Sequence, residues 1–531
     1  MASKKKLINK KKLQKENQYI SPVHDIYDNA ISSKVLQRLS TGLVYDLTMI
    51  EHRCLWDLNY QECPDRFQKV LDRCNELQLV DRCKIIESRF ADEEELLLKH
   101  NREHIQFLKS TESIKDVNKL EELSSRYDAV YFHPSTYRQS LKAVGSTINL
   151  VTSICKGEIQ NGMAIIRPPG HHAMKAEFCG YCFFNNVAIA CEKMLNMNLA
   201  KKILIIDWDV HHGQATQQMF YNDSRVVYFS IHRYENGEFW PNLRESDYDY
   251  IGLGPGEGYN FNVPLNKTGM TNADYIAIFQ QVLLPMAYEF QPDLVVVSAG
   301  YDAALGCPEG EMEITPACYS HLLWSLMSLA KGKVAVILEG GYCLESLSEG
   351  AALTLRALLG DPCPRLLPIL EPCDSICKTI LNVIYTHRSY WKCYQFQGSY
   401  SICSKIFDEE CEKRYLPICI YNNSNVVQTT HETRNCYPAQ SIEKKAEIRE
   451  ALSTLKQCTN LNKSQYKLCI VYDSRMLKHF DNSDDCHPEK PSRIANIYAS
   501  LQEYGVLKRC LILQVSYFVS LVCFKNNTIK F

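Results

Sequence analysis

The sequence predicts an α/β protein built on a doubly wound parallel sheet, with its site at the carboxyl edge of that sheet. Three observations predict it. Four short apolar runs, at 164–166, 203–206, 294–297 and 334–338, lack the two-residue alternation of half-exposed strands, as expected for strands covered by helices on both faces. Helix-length segments separate the runs. Each run closes with glycine and with side chains such as Asp, His or Tyr, at the edge where open α/β sheets place their ligands.

The 531 residues allow two or three domains, and 46% hydrophobic residues are enough to bury a core. A net charge of −2 gives no global case for nucleic-acid or membrane binding, and neither partner is expected. The chain has no signal-peptide core and no apolar run of about 18 residues. A cytoplasmic protein is therefore expected, with the nucleus as a second compartment, and the 24 cysteines read as thiols rather than a disulfide framework. Cys179 and Cys182 form a CxxC without a second pair at zinc-finger spacing, so packing is the better reading of them.

Residues 1–39 carry Lys4 to Lys6 and Lys10 to Lys12 and little that packs, which predicts a basic disordered arm; an import signal is the alternative. A first strand is expected at Leu43 to Asp46, and Pro64 opens a helix to about Leu79 on Phe67, Val70, Leu71 and Cys74. Residues 93–108 and 135–154 read as further helices.

The run at 164–166 leads into Arg167-Pro168-Pro169-Gly170-His171-His172. The prolines stiffen this loop and the glycine permits a sharp turn, so two histidines are held at a strand end; alone, capping or core packing explains them equally well. The run at 203–206 ends in Asp207-Trp208-Asp209-Val210-His211-His212-Gly213. In extended chain Asp209 and His211 point to one face, where a carboxylate oxygen and an imidazole nitrogen can reach one cation; a helix cap is the bland alternative. The third run ends in Ser298-Ala299-Gly300-Tyr301-Asp302 and the fourth in Glu339-Gly340-Gly341-Tyr342. Core strands do not need such side chains repeatedly at their ends. A helix at 375–391 is expected to finish the domain 40–392, and the polar stretch 393–466 reads as a flexible linker with a helix at 441–455.

An internal repeat follows. Val471-Tyr472-Asp473 repeats Val44-Tyr45-Asp46 at an offset of 427 (473 − 46 = 427), which also aligns Glu489 with Glu62, Pro491 with Pro64 and Arg493 with Arg66. Residues 467–514 are read as the truncated start of a second domain, lacking the histidine loop and the tyrosine and unable to close a core. Residues 515–531 form a divergent tail.

The segments Arg167 to His172, Asp207 to Gly213, Ala299 to Asp302 and Glu339 to Tyr342 together resemble the zinc-dependent histone deacetylases, over about residues 40–392. The resemblance implies the arginase-deacetylase fold. Asp207 to Gln214, Ser230 to Tyr234 and Gly237 to Pro241 are most similar to class IIb, and there to the first catalytic domain of a tandem-domain tubulin deacetylase. It implies one catalytic zinc on Asp209, His211 and Asp302, with His172 as general base and then acid. His171 would be its electrostatic partner, oriented by Asp207, and Tyr342 would donate to the developing oxyanion. Potassium is implied near Asp207, Asp209, His211, Ser230 and Ile231, and a channel for the acetyl-lysine stem along Gly180, Tyr181, Trp240 and Gly340. Gln214 stands where class I enzymes have Asp, which predicts a weaker base at His172.

The implied activity is release of acetate from acetyl-lysine in proteins such as tubulin or histones. One alternative is deacetylation of acetylpolyamines: Glu309 follows the ligand Asp302 at a position where the class IIb polyamine deacetylase also has a glutamate, and a carboxylate there attracts a second ammonium. Against it, Leu58 to Cys63 lacks the insertion that narrows the polyamine enzyme's mouth, and Glu309 may be read equally as a solvated surface charge. A non-catalytic scaffold that binds acetyl-lysine or tubulin has no need of intact His171, His172 and Tyr342. A manganese ureohydrolase needs bridging carboxylates that His212-Gly213-Gln214 does not supply.

Overall fold

The computed structural model describes residues 40–395, 430–437, 440–459, 461, 468–480 and 487–513. The basic arm 1–39, the tail 515–531 and residues 396–429 of the expected linker lie outside the described residues. Among the described residues, no helix is long and apolar enough to cross a membrane, and every cysteine is a free thiol.

The strands β1 (Thr41–Tyr45), β2 (Lys84–Ile85), β3 (Asn161–Ile165), β4 (Ile203–Asp207), β5 (Val226–Arg233), β6 (Asn260–Leu265), β7 (Leu294–Ala299) and β8 (Val334–Leu338) form one parallel sheet. Its order is β2-β1-β3-β8-β7-β4-β5-β6. The four apolar runs are the adjacent strands β3, β8, β7 and β4, and every residue in them is buried. Because chain order and spatial order differ across these four strands, the connections diverge at their carboxyl ends and leave a crevice there. Helices Pro64–Glu76, Pro316–Leu326 and Leu344–Leu358 pack together, as do Thr136–Cys155 and Asn186–Asn196, and these sets flank the sheet over one continuous core.

Three strands carry no clear sequence signal. β2 is two exposed residues. β5 is wholly buried although it contains Ser230, His232 and Arg233, whose polar atoms find partners. β6 contains Asn260, Asn262 and Pro264, which argue against a strand, but it is an edge strand, where a missing N–H need not break a ladder. Its two asparagine amides donate to Gln217 Oε1 at 2.9 Å each.

The helix expected over 93–108 is two helices, Glu93–Leu96 and Arg102–Ser110. Asn101 accepts the backbone N–H of His104 at 2.8 Å, a cap that starts a new helix rather than continuing the old one. Within the stretch expected as mostly flexible linker, residues 431–437 hydrogen-bond to the domain, and the helix expected at 441–455 is Ile442–Cys458, which buries Ile448.

Residues 468–513 repeat the opening of the large domain in three dimensions. Strands β9 (Cys469–Val471) and β10 (Leu511–Leu513) pair in parallel with Cys469 opposite Leu511, as Gly42 lies opposite Lys84 in β1 and β2. Helix Pro491–Glu503 stands where Pro64–Glu76 stands in the first copy. The difference lies in what covers them. Val70 is fully buried, whereas its counterpart Ile497 is 58% exposed, because among the described residues only a strand-helix-strand unit surrounds it.

Candidate metal centre and substrate channel

The carboxyl ends of β3, β4, β7 and β8 bring the predicted residues together. Asp209, His211 and Asp302 each offer one ligand atom, all within 4.8 Å of one another, and all three residues are buried. Backbone N–H groups aim the carboxylates: Gly340 N donates to Asp209 Oδ2 at 2.9 Å and Val210 N to Asp302 Oδ1 at 2.7 Å. A Cβ at Gly340 would lie 2.4 Å from Asp302 Oδ2 and 2.5 Å from Asp209 Oδ2, so only glycine lets this loop close on the carboxylates. Burial, and then the charge of Asp209, push the Asp302 carboxyl up to about 6. Two buried carboxylates and an imidazole this close are unfavourable without a cation, and the donor set of two oxygens and one nitrogen suits zinc with positions left for ligands.

The tandem histidines differ in environment. His171 Nδ1 lies 3.0 Å from Asp207 Oδ2, and its Nε2 is 3.7 Å from Asp209 Oδ2. Burial opposes its charge, but the carboxylates of Asp209 and Asp207 outweigh burial and carry its pKa up to about 10. His172 Nδ1 lies 2.7 Å from Gln214 Oε1, a neutral partner. Burial and the neighbouring His171 cation hold His172 well below the usual imidazole range. The carboxylates thus favour charge on His171, whereas burial and His171 disfavour it on His172.

The potassium candidates also cluster. Asp207 and Ser230 are register partners on β4 and β5, and the Asp207 carboxylate accepts from Asp209 N at 3.2 Å and from Tyr228 Oη at 2.9 Å. Ile231 follows on β5, next to the loop that carries Asp209 and His211.

The residues expected to line a channel lie together, and most are aromatic. Gly180 has φ +54°, and a Cβ there would meet His172 Cδ2 at 2.5 Å and Trp240 Cη2 at 2.8 Å. Trp240 stands edge-on to His172 with ring centres 4.8 Å apart, its indole N–H donating to Asp128 at 2.7 Å. Tyr181 lies 5.5 Å from the Tyr342 ring. Phe239, which the sequence reading did not single out, stacks on His211 at 5.4 Å.

Glu309 is not a solvated surface charge: it is 2% exposed. Its Oε1 accepts from Tyr181 Oη at 3.2 Å, while Oε2 lies 3.8 Å from His211 Nε2 and has no hydrogen-bond partner. Burial pushes its carboxyl up to about 8, against the pull of His211.

Two supports were not legible in sequence. The Glu339 carboxylate accepts from Gly170 N at 2.7 Å and from Ser298 Oγ at 3.2 Å, tying the histidine loop to β8. Glu62 holds Arg167 at 2.7 and 2.6 Å, Arg66 at 3.0 Å and Tyr131 Oη at 2.8 Å, with all four side chains buried. Arg66 in turn donates to Gly341 O at 2.8 Å and lies over the Tyr342 ring at 4.9 Å. Sequence repetition marks Glu62 and Arg66 as a pair, but a pair four residues apart on a helix entrance usually means only a surface contact.

Burial raises the Glu62 carboxyl, but Arg167 and Arg66 more than offset it and hold it well below the usual carboxylate range. A depressed value adds stability above the unfolded pKa of about 4.3 that is lost as pH falls through the folded value. Glu62→Gln leaves two buried guanidiniums without a counter-charge and should cost about 3–5 kcal/mol at neutral pH. Urea unfolding of the two proteins checks this, and a difference that does not shrink on acidification to below about pH 4 would contradict it.

A family model described as the histone deacetylase domain matches residues 60–358. "Polyamine deacetylase HDAC10" of Homo sapiens is 46% identical over 363 residues, 68% of this chain and 54% of that protein. "Histone deacetylase 6" of Caenorhabditis elegans is 35% identical over 478 residues, 89% of this chain and 48% of that protein. Among solved structures, the HDA15 HD domain superposes with a TM-score of 0.63 at 36% identity, covering 68% of this chain and 99% of that one. This chain therefore spans about half the length of the curated relatives it matches. Identity is higher to the polyamine deacetylase than to the worm histone deacetylase 6, so the finer likeness to a tandem-domain tubulin deacetylase is not what these comparisons favour. The eight-stranded parallel sheet, the buried Asp-His-Asp group at its edge and these matches agree that the chain belongs to the histone deacetylase domain family, whose cofactor is zinc.

Proposed function

We propose that the chain is a zinc-dependent deacetylase that prefers acetylpolyamines, cleaving the amide C–N bond with water to give acetate and a free amine. Asp209, His211 and Asp302 would hold the zinc, which when bound would supply Lewis acidity for the acetyl carbonyl and the attacking water. Gln214 Oε1 can only accept, so His172 Nδ1 carries the ring proton and Nε2 is the basic atom. Nε2 takes the water's proton and later returns it to the leaving amine. The cation on His171 disfavours a second charge beside it, which makes His172 a weak base and a ready acid. Tyr342 Oη donates to the carbonyl oxygen as charge develops, on a loop held by Arg66. Asp207, Asp209, His211, Ser230 and Ile231 are the residues we assign to potassium.

The observation that carries the substrate class is Glu309. It is a buried carboxyl beside His211 with one oxygen lacking a hydrogen-bond partner, and an ammonium on the substrate would donate to that oxygen and favour the ionised form that burial disfavours. The sequence alone ranks acetyl-lysine proteins first; the burial of Glu309 and the 46% identity to a polyamine deacetylase move the weight to acetylpolyamines. Acetyl-lysine proteins remain the second reading, favoured by the match to the worm histone deacetylase 6 over 89% of this chain. The test is Glu309→Leu. The ratio of kcat/KM for N8-acetylspermidine to that for an acetyl-lysine peptide should fall about 10- to 100-fold, the worth of a charge-assisted contact. An unchanged ratio would overturn the polyamine assignment.

A further inference from the structure

The channel opens beside a cavity of about 670 Å³, lined on the domain side by Tyr60, Tyr181, Pro308 and Tyr342. Part of its lining comes from Asn435, Cys436, Tyr437 and Gln440, in the stretch the sequence marks as linker. Tyr437 and Tyr342 both pack against the buried cluster of Cys54, Tyr60, Tyr131 and Tyr181. The segment is fastened ahead of Tyr437 at four places. His431 N donates to Ser125 O at 2.8 Å, and Trp56 Nε1 donates to Thr433 O at 3.1 Å. The Arg434 guanidinium reaches both oxygens of Glu121, at 2.6 and 2.7 Å, and Asn435 N donates to Asp57 Oδ2 at 3.0 Å. Beyond Tyr437, Gln440 Nε2 donates to Gly306 O at 3.2 Å, and Ile448 packs onto Gly306.

We propose that residues 431–437 form a strap across the channel entrance and that Tyr437 is a specificity-determining residue, admitting slender acetylamides and turning away acetyl-lysine flanked by peptide on both sides. The ring sits where the first groups beyond the acetyl-lysine stem of a substrate must pass, since it shares the cavity with Tyr181 and Tyr342. A peptide backbone extends in two directions from its lysine and meets the strap; a polyamine is a single unbranched chain and does not. The fastenings are surface contacts, individually weak, so the strap can lift, and the tyrosine's apolar packing is what biases it closed. Exclusion of this kind gives selectivity that attraction by a carboxylate alone does not.

The proposal rests on the deacetylase reading of the site but not on its polyamine preference, and the test separates the two. In the full chain, kcat/KM is measured for free Nε-acetyl-lysine and for a peptide with acetyl-lysine at its centre. Tyr437→Gly and Arg434→Glu should each raise the ratio of peptide to free acetyl-lysine about tenfold, and Arg434→Glu with Glu121→Arg should return it towards wild type. A ratio that stays constant in the single variants, or that the charge swap does not restore, overturns the strap. If wild type releases acetate from neither substrate nor from N8-acetylspermidine, the deacetylase reading fails instead, and in either case of inactivity on the two lysine substrates the strap is judged by tryptic cleavage after Arg434. Cleavage should be slow in wild type and at least about tenfold faster in Tyr437→Gly, and equal rates would overturn it.

Discussion

Asp302→Asn should lose metal and turnover together. Asparagine keeps the shape of the side chain and an oxygen to accept from Val210 N, now 2.7 Å from Asp302 Oδ1, so the loop after β7 has reason to stay in place. What goes is one of two negative charges in a three-residue ligand set. Loss even of an outer partner of a metal ligand costs about 10- to 100-fold in affinity, so loss of a charged ligand should cost more than about a hundredfold. After dialysis, zinc per chain should fall to a small fraction of wild type and acetate release to background. Thermal unfolding should be no earlier than in the metal-free wild type, because removing one carboxylate relieves the repulsion between Asp209 and Asp302 that the metal otherwise offsets. A variant that keeps both zinc and turnover would exclude Asp302 as a ligand.

Tyr342→Phe should do the opposite to the metal and nearly the same to the rate. The ring contacts survive the change: Arg66 still lies over it, and Tyr181 still meets its edge. Only the hydroxyl is removed. Burial, and then the Glu309 carboxylate, push that hydroxyl well above the usual tyrosine range, so it remains an O–H donor throughout the working pH range. Removing one oxyanion donor costs about 10²- to 10³-fold in kcat. Zinc content and KM should be close to wild type, since the donor acts mainly on charge that develops in the transition state. A kcat within about twofold of wild type would remove Tyr342 from the mechanism.

Much of the sheet's centre is legible in sequence, because strands buried on both faces leave unbroken apolar runs and the chain after each must turn at the same edge. Those turns carry Asp209, His211 and Asp302; spacing points to Asp209 and His211, while Asp302 as the third member comes only with the family resemblance. The parts that sequence does not reveal are held by long-range polar contacts. Glu339 reaches back 169 residues to Gly170 N, and Glu62 reaches 105 residues to Arg167; neither leaves a periodic trace. Glu309 was ambiguous for the same reason: a glutamate in a glycine-rich loop looks solvated until the loop is folded over it. The strap carries one aromatic and a few hydrogen bonds in a polar stretch, and such a segment reads as linker. The repeat is legible by identity alone, and its register repeats as well, but among the described residues Ile497 is exposed where Val70 is buried.

Zinc-dependent hydrolysis of acetylpolyamines at this site is open to direct test. The most direct measurement is acetate and amine release by the zinc-loaded full chain from N8-acetylspermidine and from an acetyl-lysine peptide. Acetate and amine should appear in equal amounts, activity should be lost with a chelator and restored by zinc, and kcat/KM for acetylspermidine should be about tenfold or more above that for the peptide. A peptide efficiency equal to or above that for acetylspermidine, or no acetate from either substrate, would contradict it.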